Sequence, residues 1–413
     1  MRFGRDIIFE RNLLLALALL LALGAGFFLH VNRTEKERAH LSWQMSILQT
    51  ANRASIRMYR LAMQSFYETS LNSPEVLRTM REASDSWGAD RDLARGRLFR
   101  ELYPTFEAMQ RQNLRQLHFH LADGTSFLRF HLSEHYGEQL FETRPLVRLA
   151  NTEKRSAQGF EVGSSATGYR FIFPLALEGR HLGSVETLIT TKALRDALHE
   201  LDPGREFAFV MARELTETNL FPEQRGLYSQ SSLHPDFLVE DANALLPSSP
   251  PPLSASAAAI NAMLRKNGEL QAAMTASRPF AVGAEADGRH FSVTLIPLKD
   301  VLDRTTGYLI SYGPDPILGQ FRDEFQAYLV LVVFVLGLIT VLLSRLRSRT
   351  LALEAERTNL RVMNDALAEG VFVTNSLGLI TQVNPAACAI LGFPETELIG
   401  RHARELVLGQ AED

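Results

Sequence analysis

LLLALALLLALGAGFFL (residues 13–29) and YLVLVVFVLGLITVLL (residues 328–343) lie inside two stretches, Asn12–Asn32 and Phe325–Ser344, that contain no Asp, Glu, Lys or Arg. A helix rises 1.5 Å per residue, so about 20 apolar residues cross the roughly 30 Å hydrocarbon layer of a bilayer. One central charge would cost about 2.5–3.5 kcal/mol, which makes the absence of charge informative. Transmembrane helices are therefore expected over residues 13–31 and 325–344. Arg2, Arg5 and Arg11 precede the first, and Arg345, Arg347 and Arg349 follow the second. Basic residues beside spans stay preferentially in the cytoplasm, which puts residues 1–12 and the tail inside and residues 33–324 outside. A cleaved signal peptide is the alternative for the first stretch. Its apolar run exceeds the usual 7–15 residues and no clear small-x-small site follows, so an uncleaved anchor is expected.

The 413 residues are 46% hydrophobic with a net charge of −4, an ordinary globular composition that argues against nucleic acid as a partner. The single cysteine, Cys388, falls on the inner side, so the outer region is expected to hold no intrachain disulfide. An anchored enzyme would need a nucleophile with its base or a ligated metal. No G-x-S-x-G, H-E-x-x-H or P-loop pattern occurs, and no histidine-kinase phosphoacceptor region or G-G-D-E-F segment is present. No catalytic activity and no cofactor are expected of this chain.

Residues 32–115 read as a long helical region, rich in Ala, Leu, Met, Arg, Glu and Gln, with apolar positions such as Leu61, Met63, Phe66 and Tyr67 at helical spacing. Period-two alternation then takes over. Leu117–Leu121, Asp123-Gly124 and Ser126–Leu132 form one predicted hairpin; Tyr169–Leu177 and Leu182–Ile189 form a second. With the helical run Lys192–Leu201 they make a first module, residues 116–201. A second module, residues 202–318, has the strand Glu206–Met211 and strands over Phe280–Val282, Phe291–Ile296 and Thr306–Ser311. Between them lies the proline- and serine-rich loop Leu246–Leu253, unsuited to a helix or a central strand. The two modules share an order of elements without clear sequence repetition. After the second span, Leu346, Leu353, Leu360 and Leu367 recur every seven residues. Residues 345–368 then read as a short parallel coiled coil, which implies a homodimer joined there and through the long helix. An amphipathic helix lying on the membrane is the other reading.

With a two-residue turn at Asp123-Gly124, His120 opposes Phe127 and His118 opposes Arg129, and opposed residues share a face. One face then carries His118, His120, Phe127, Arg129 and His131, and the other Leu117, Phe119, Leu121, Leu128, Phe130 and Leu132. Three readings of the polar face stand open. It is washed by solvent at a sheet edge. Or it is an anion pocket, with Arg129 joined by Arg144, Tyr169 and Arg170 from neighbouring segments, since guanidinium forks suit carboxylates and phosphates. Or His118, His120 and His131 hold a metal, against the repulsion of Arg129. No metal is assigned. A three-residue bulged turn would reverse the facing. Glu161 and Glu186 are potential partners for the arginines.

Residues 366–400 carry Gly370-Val371 at a strand start, Gly378 at a hairpin turn, Asn384-x-Ala386, and Gly392-Phe-x-x-x-Glu-Leu-Ile-Gly400. Together these closely resemble the opening of a PAS domain, and residues 369–413 are expected to be its N-terminal part. The resemblance implies three further sheet strands, without which the segment is expected to be incomplete or poorly ordered. The stretch Asp123–His131, Tyr136-Gly137, Arg144-Pro145 and Gly159-Phe-Glu161, set in helix-then-hairpin modules before a PAS segment, is similar to the double-Cache sensors of bacterial kinases, diguanylate cyclases and chemoreceptors. That likeness implies an α+β membrane protein with two stacked PAS-like antiparallel sheets and a small-molecule ligand in the membrane-distal module. It also implies a place in the bacterial cytoplasmic membrane. The amine-binding signature of better-known members is not apparent.

Overall fold

The computed structural model describes residues 2–112, 114–163, 166–240 and 253–407, without side-chain surroundings for residues 2–11, 115, 223, 224 and 407. The proline-rich loop assigned to residues 246–253 lies almost wholly outside the described residues. Two compact units result: residues 32–324, and residues 1–31 with 325–413.

Helix α1 (Arg2–Phe66) runs unbroken because nothing in it opposes helical geometry until Asn72-Ser73-Pro74, reached through a π-helical turn, Tyr67–Leu71. Pro74 then opens α2 (Pro74–Asp85), where its missing N–H costs nothing, and Ser73 caps it by accepting from the Val76 amide at 3.3 Å. Helix α3 (Ala89–Arg111) leads into a five-stranded antiparallel sheet. Its strands are β1 (Leu114–Leu121), β2 (Ser126–Arg129), β3 (Ala157–Val162), β4 (Thr167–Leu177) and β5 (Arg180–Thr190), in the order β2-β1-β5-β4-β3. Helix α4 (Pro145–Thr152) lies between β2 and β3 in sequence.

The alternation of β1 decides what each sheet face buries. Leu117, Phe119 and Leu121 join Phe171, Phe173, Val185 and Ile189 in a core with Met80, Leu98, Phe106 and Met109 of α2 and α3. Tyr67 stacks on Phe173 at 4.6 Å from the helical side. Each large apolar side chain buried here stabilises by about 1.5–3 kcal/mol. The opposite face is roofed by α4, whose Leu146, Val147 and Ala150 pack on Ala157 and Ile172.

Helix α5 (Thr191–Leu201) joins this sheet to a second one. Its elements are β6 (Glu206–Ala212), α6 (Arg213–Asn219), β7 (Tyr228–Gln230), β8 (Phe237–Glu240), α7 (Ala255–Leu264), α8 (Gly268–Thr275), β9 (Phe280–Ala286), β10 (Arg289–Lys299) and β11 (Thr305–Pro314). The order is β7-β8-β6-β11-β10-β9. In both sheets the first strand pairs with the last, and a meander follows outward (β1-β5-β4-β3 and β6-β11-β10-β9). The second core lies under α7 and α8, where Tyr308 Oη donates to the Met274 carbonyl at 3.0 Å.

In the other unit the apolar stretches belong to α1 and to α9 (Pro316–Ala366); the apolar window of each has none of its residues buried. A β12 (Phe372–Thr374) and β13 (Ile380–Val383) hairpin follows, then α10 (Pro385–Leu391), α11 (Glu395–Leu398) and α12 (Ala403–Val407). Asn384 is fully buried and uses its whole carboxamide. Its oxygen accepts from Val371 and Ala387 amides at 2.9 and 2.8 Å, and its nitrogen donates to the Asn364 and Glu369 carbonyls at 3.1 and 2.9 Å. One residue thus caps α10 and ties it to the end of α9. The protein is a mixed helix and antiparallel-sheet molecule with two long apolar helices.

Candidate functional site

The first hairpin corrects the expected register. The turn holds three residues: the Gly124 amide donates to Leu121 at 2.9 Å, and Leu121 donates to Thr125 at 2.9 Å. Gly124 sits at φ +85°, and a Cβ there would meet the Phe141 ring at 2.3 Å. Such a turn alone would reverse the facing, but a bulge restores it. His118 opposes Arg129 and Phe119 opposes Leu128, whereas His120 opposes Ser126. Phe127 is the extra residue. It turns to the helical side, in the main core, with the Arg95 guanidinium 5.3 Å from its ring centre. Ser126 takes its place on the polar face and lies 2.8 Å from His118 Nε2.

That face is not washed by solvent. His118, His120, Arg129, Arg170 and Glu186 are each at most 1% exposed, and Arg144 and Glu161 are each 4% exposed. Strand pairing brings them together, since His118 opposes Glu186 across β1–β5, and Glu186 in turn opposes Ile172, the same-face neighbour of Arg170, across β5–β4. Arg144 arrives from the residue before α4. Its Nε donates to Glu161 Oε2 at 2.9 Å and its Nη2 to Glu186 Oε2 at 2.5 Å. Arg170 Nη1 donates to the other Glu186 oxygen and, at 3.3 Å, to Gln116. Glu161 also accepts from the Leu146 amide at 2.9 Å, so the same carboxylate anchors the start of α4. Arg129 lies apart from these pairs: its Nη1 donates to the His135 carbonyl at 2.7 Å, and its Nη2 meets Glu138.

Two expected members behave differently. Tyr169 neighbours Arg170 along a strand and so points to the other face, where it lies 5.3 Å from the Phe171 ring and packs on the main core. It does not join the site. His131 lies beyond the end of β2, in the loop leading to α4, and is half-buried near Arg129.

Burial penalises the charged imidazolium, and the arginines add to this, so all three histidines are held neutral. His118 falls well below its usual value, His120 falls to about 3 and His131 to about 4. Burial pushes the Glu186 carboxyl up, but Arg144, Arg170 and His120 outweigh it and hold it at about 2. Charge is therefore confined to three guanidiniums and the carboxylates Glu138, Glu161 and Glu186, which balance them. Among the described residues His118 Nδ1 and His120 Nε2 find no hydrogen-bond partner, and one ligating atom each from His118, His120 and Glu186 lie within 4.8 Å of one another. Two neutral imidazoles and a carboxylate form a donor set suited to a divalent transition metal. Both Glu186 oxygens already accept from arginines, which opposes added positive charge. Beside the network a cavity of about 270 Å³ is lined by Glu138, Gln139, Thr143 and Arg144, by the apolar Leu140 and Val162, and, from the second module, by Thr218, Asn219 and Phe221.

Residues 94–193, which contain this whole network, match a family described as the double sensory domain of two-component sensor kinases. Residues 358–412 match the PAS fold. Two segments of the chain thus match double-Cache and PAS sequence. No curated protein matches it. Among solved structures it is similar to the Vibrio cholerae histidine kinase DctB sensor domain, at 12% identity and TM-score 0.36, over 68% of this chain and 99% of that one. It is also similar to the sensory domain of the Campylobacter jejuni chemoreceptor Tlp3 with isoleucine bound, at 11% identity and TM-score 0.34, over 70% and 97%. No catalytic domain is indicated by either family match.

Sequence reasoning missed Ser126, Glu138, Asn151 and Ser184 in this network. Ser184 was detectable, because period two places it on the Glu186 face, where it lies 3.0 Å from His120 Nδ1 and accepts from Asn151 Nδ2 at 2.9 Å. Glu138 carries no such signal, since it reaches Arg129 from an irregular loop.

Proposed function

We propose that this chain is a two-pass receptor of a bacterial cytoplasmic membrane that binds a small anion outside the cell's inner compartment. Residues 13–31 and 325–344 cross the bilayer, and the extracytoplasmic part holds the long helical region, residues 32–115, a membrane-distal module, residues 116–201, and a membrane-proximal module, residues 202–318. Residues 345–368 pair with a second copy and carry the signal to the PAS segment beginning at residue 369. What supports the reading is one observation: a module that matches a sensory family gathers three buried guanidiniums, and one of them, Arg144, lines a small cavity of mixed polar and apolar walls. At about 270 Å³ that cavity falls just below the roughly 300–1,000 Å³ of sites for drug-sized ligands, so a small ligand suits it. Binding transmits a signal only through a difference in affinity between two receptor states.

A thermal-shift screen of the full-length chain against organic acids, amino acids and Zn²⁺ tests the reading. Stabilisation by a carboxylate is the expected result; no response to any anion refutes it. The grouping of His118, His120 and Glu186 favours a second reading, a metal centre, and stabilisation by Zn²⁺ alone would select it. Reporter fusions near Pro250 should place that loop outside, and a cytoplasmic signal would end both readings.

A further inference from the structure

Arg129 stands apart from the other two arginines in how its charge is met. Arg144 and Arg170 share two carboxylates that are themselves buried, Glu161 and Glu186, and Glu161 is fixed further by the Leu146 amide. The guanidinium of Arg129 is 1% exposed, yet its carboxylate partner, Glu138, has a side chain 39% exposed. Glu138 lines the small cavity, and its carboxylate contacts Arg129. Its backbone is held in place: the Ser126 amide donates to the Glu138 carbonyl at 2.9 Å, and the Gly137 amide donates to Ser126 at 2.8 Å. Rotation of one side chain would uncover the guanidinium without moving the loop.

We propose that Glu138 is a resident carboxylate that a ligand anion displaces from Arg129, so this residue sets both the charge selectivity and the affinity of the site. The inference rests on the anion-receptor reading above and deepens it. With Glu138 in place, the three guanidiniums face three carboxylates. Rotated away, Glu138 leaves a desolvated cation whose charge only another anion restores, and a neutral ligand of the same shape leaves it unmet. The wild-type receptor binds the difference between two carboxylates on one guanidinium, which keeps its affinity modest and readily reversible. Burial raises the Glu138 carboxyl while its contact with Arg129 lowers it further, and the net shift is downward, consistent with an ionised competitor at neutral pH.

Calorimetric titration of the full-length chain in lipid nanodiscs tests this, with acetate, lactate and succinate as probes and the matching neutral amides as controls. Glu138→Gln keeps the size and removes the charge. It should bind at least one of the carboxylates tenfold or more tightly than wild type, with no gain for the amides. Glu138→Asp keeps a competing carboxylate and should remain within about threefold of wild type, which separates loss of charge from loss of packing. Should Glu138→Gln fail to fold, Glu138→Ala makes the same test. Carboxylate binding by wild type with equal or weaker binding by the neutral variants overturns the role of Glu138 and leaves the receptor reading intact. No binding of any carboxylate by either protein overturns both.

Discussion

Replacing Glu186 with glutamine should cost the sensory unit about 3 kcal/mol at neutral pH. The carboxylate is fully buried, accepts from Arg144 and Arg170, and lies 3.8 Å from His120 Nε2. Glutamine preserves the shape but strips the charge that offsets two desolvated guanidiniums. Two routes give the magnitude. A carboxyl moved from 4.5 to about 2 on folding stabilises by about 3 kcal/mol, at about 1.4 kcal/mol per pH unit. Removing one partner of a buried ion pair typically costs about 3–5 kcal/mol. For a domain of this size, 1 kcal/mol moves the melting temperature by roughly 2–4 °C, so a drop of about 6–12 °C follows. The folded-state value lies below the unfolded one, so the stabilisation is complete above about pH 4.5 and vanishes as pH falls towards 2. The gap between wild type and Glu186→Gln, measured by near-UV circular dichroism of full-length protein in detergent, should therefore close across that window. A gap under 2 °C at pH 7, or one that stays constant under acid, would refute the claim that Glu186 holds the network together.

Four other outcomes are expected. Arg129→Ala should abolish carboxylate-dependent thermal stabilisation while the circular dichroism of the free protein stays native; a retained response removes Arg129 from the site. Because His118, His120 and His131 stay neutral when folded, the unfolded chain alone takes up protons below pH 6.5, and stability should fall by about 1.4 kcal/mol per pH unit for each. Denaturant midpoints of a His118→Gln/His120→Gln double variant should show a shallower slope between pH 6.5 and 4, and an unchanged slope contradicts their buried neutrality. Cysteines at Leu353 and Leu360, both about 60% exposed in the single chain, should form disulfides with their symmetry mates; no crosslink at either site rules out the coiled coil. Asn384→Ala removes a helix cap and four hydrogen bonds, so hydrogen exchange of residues 371–387 should quicken by tenfold or more, about 1–2 kcal/mol.

Composition alone revealed the apolar helices, because an uncharged run of that length has few other uses. The mixed helix and antiparallel-sheet character followed from a change of period at Leu117, where apolar residues begin to alternate in twos. Alternation also separated the two faces of β1 correctly, since it depends on local geometry that tertiary packing does not overturn. It failed at Tyr169, where grouping by segment set aside the rule that neighbours in a strand point oppositely.

The hairpin shows where local reading stops. A two-residue turn and a three-residue turn with one bulge give the same pairing of His118 with Arg129, because the extra residue in the turn is cancelled by the extra residue in the strand. They differ only in which residue shares the face with His120, Phe127 or Ser126. Gly124 suits either turn. What selects the longer one is tertiary: Phe127 gains a place in the helical core, and Ser126 supplies a polar partner for His118 on the buried polar face. The roof has the same origin. No feature of residues 114–132 states that their polar face will be shut off from water, yet that burial keeps the histidines neutral. It also makes carboxylate partners necessary for Arg144 and Arg170. Glu161 and Glu186 meet that need from strands already in the sheet, whereas Arg129, at the hairpin's outer edge, depends on a loop carboxylate that solvent can reach.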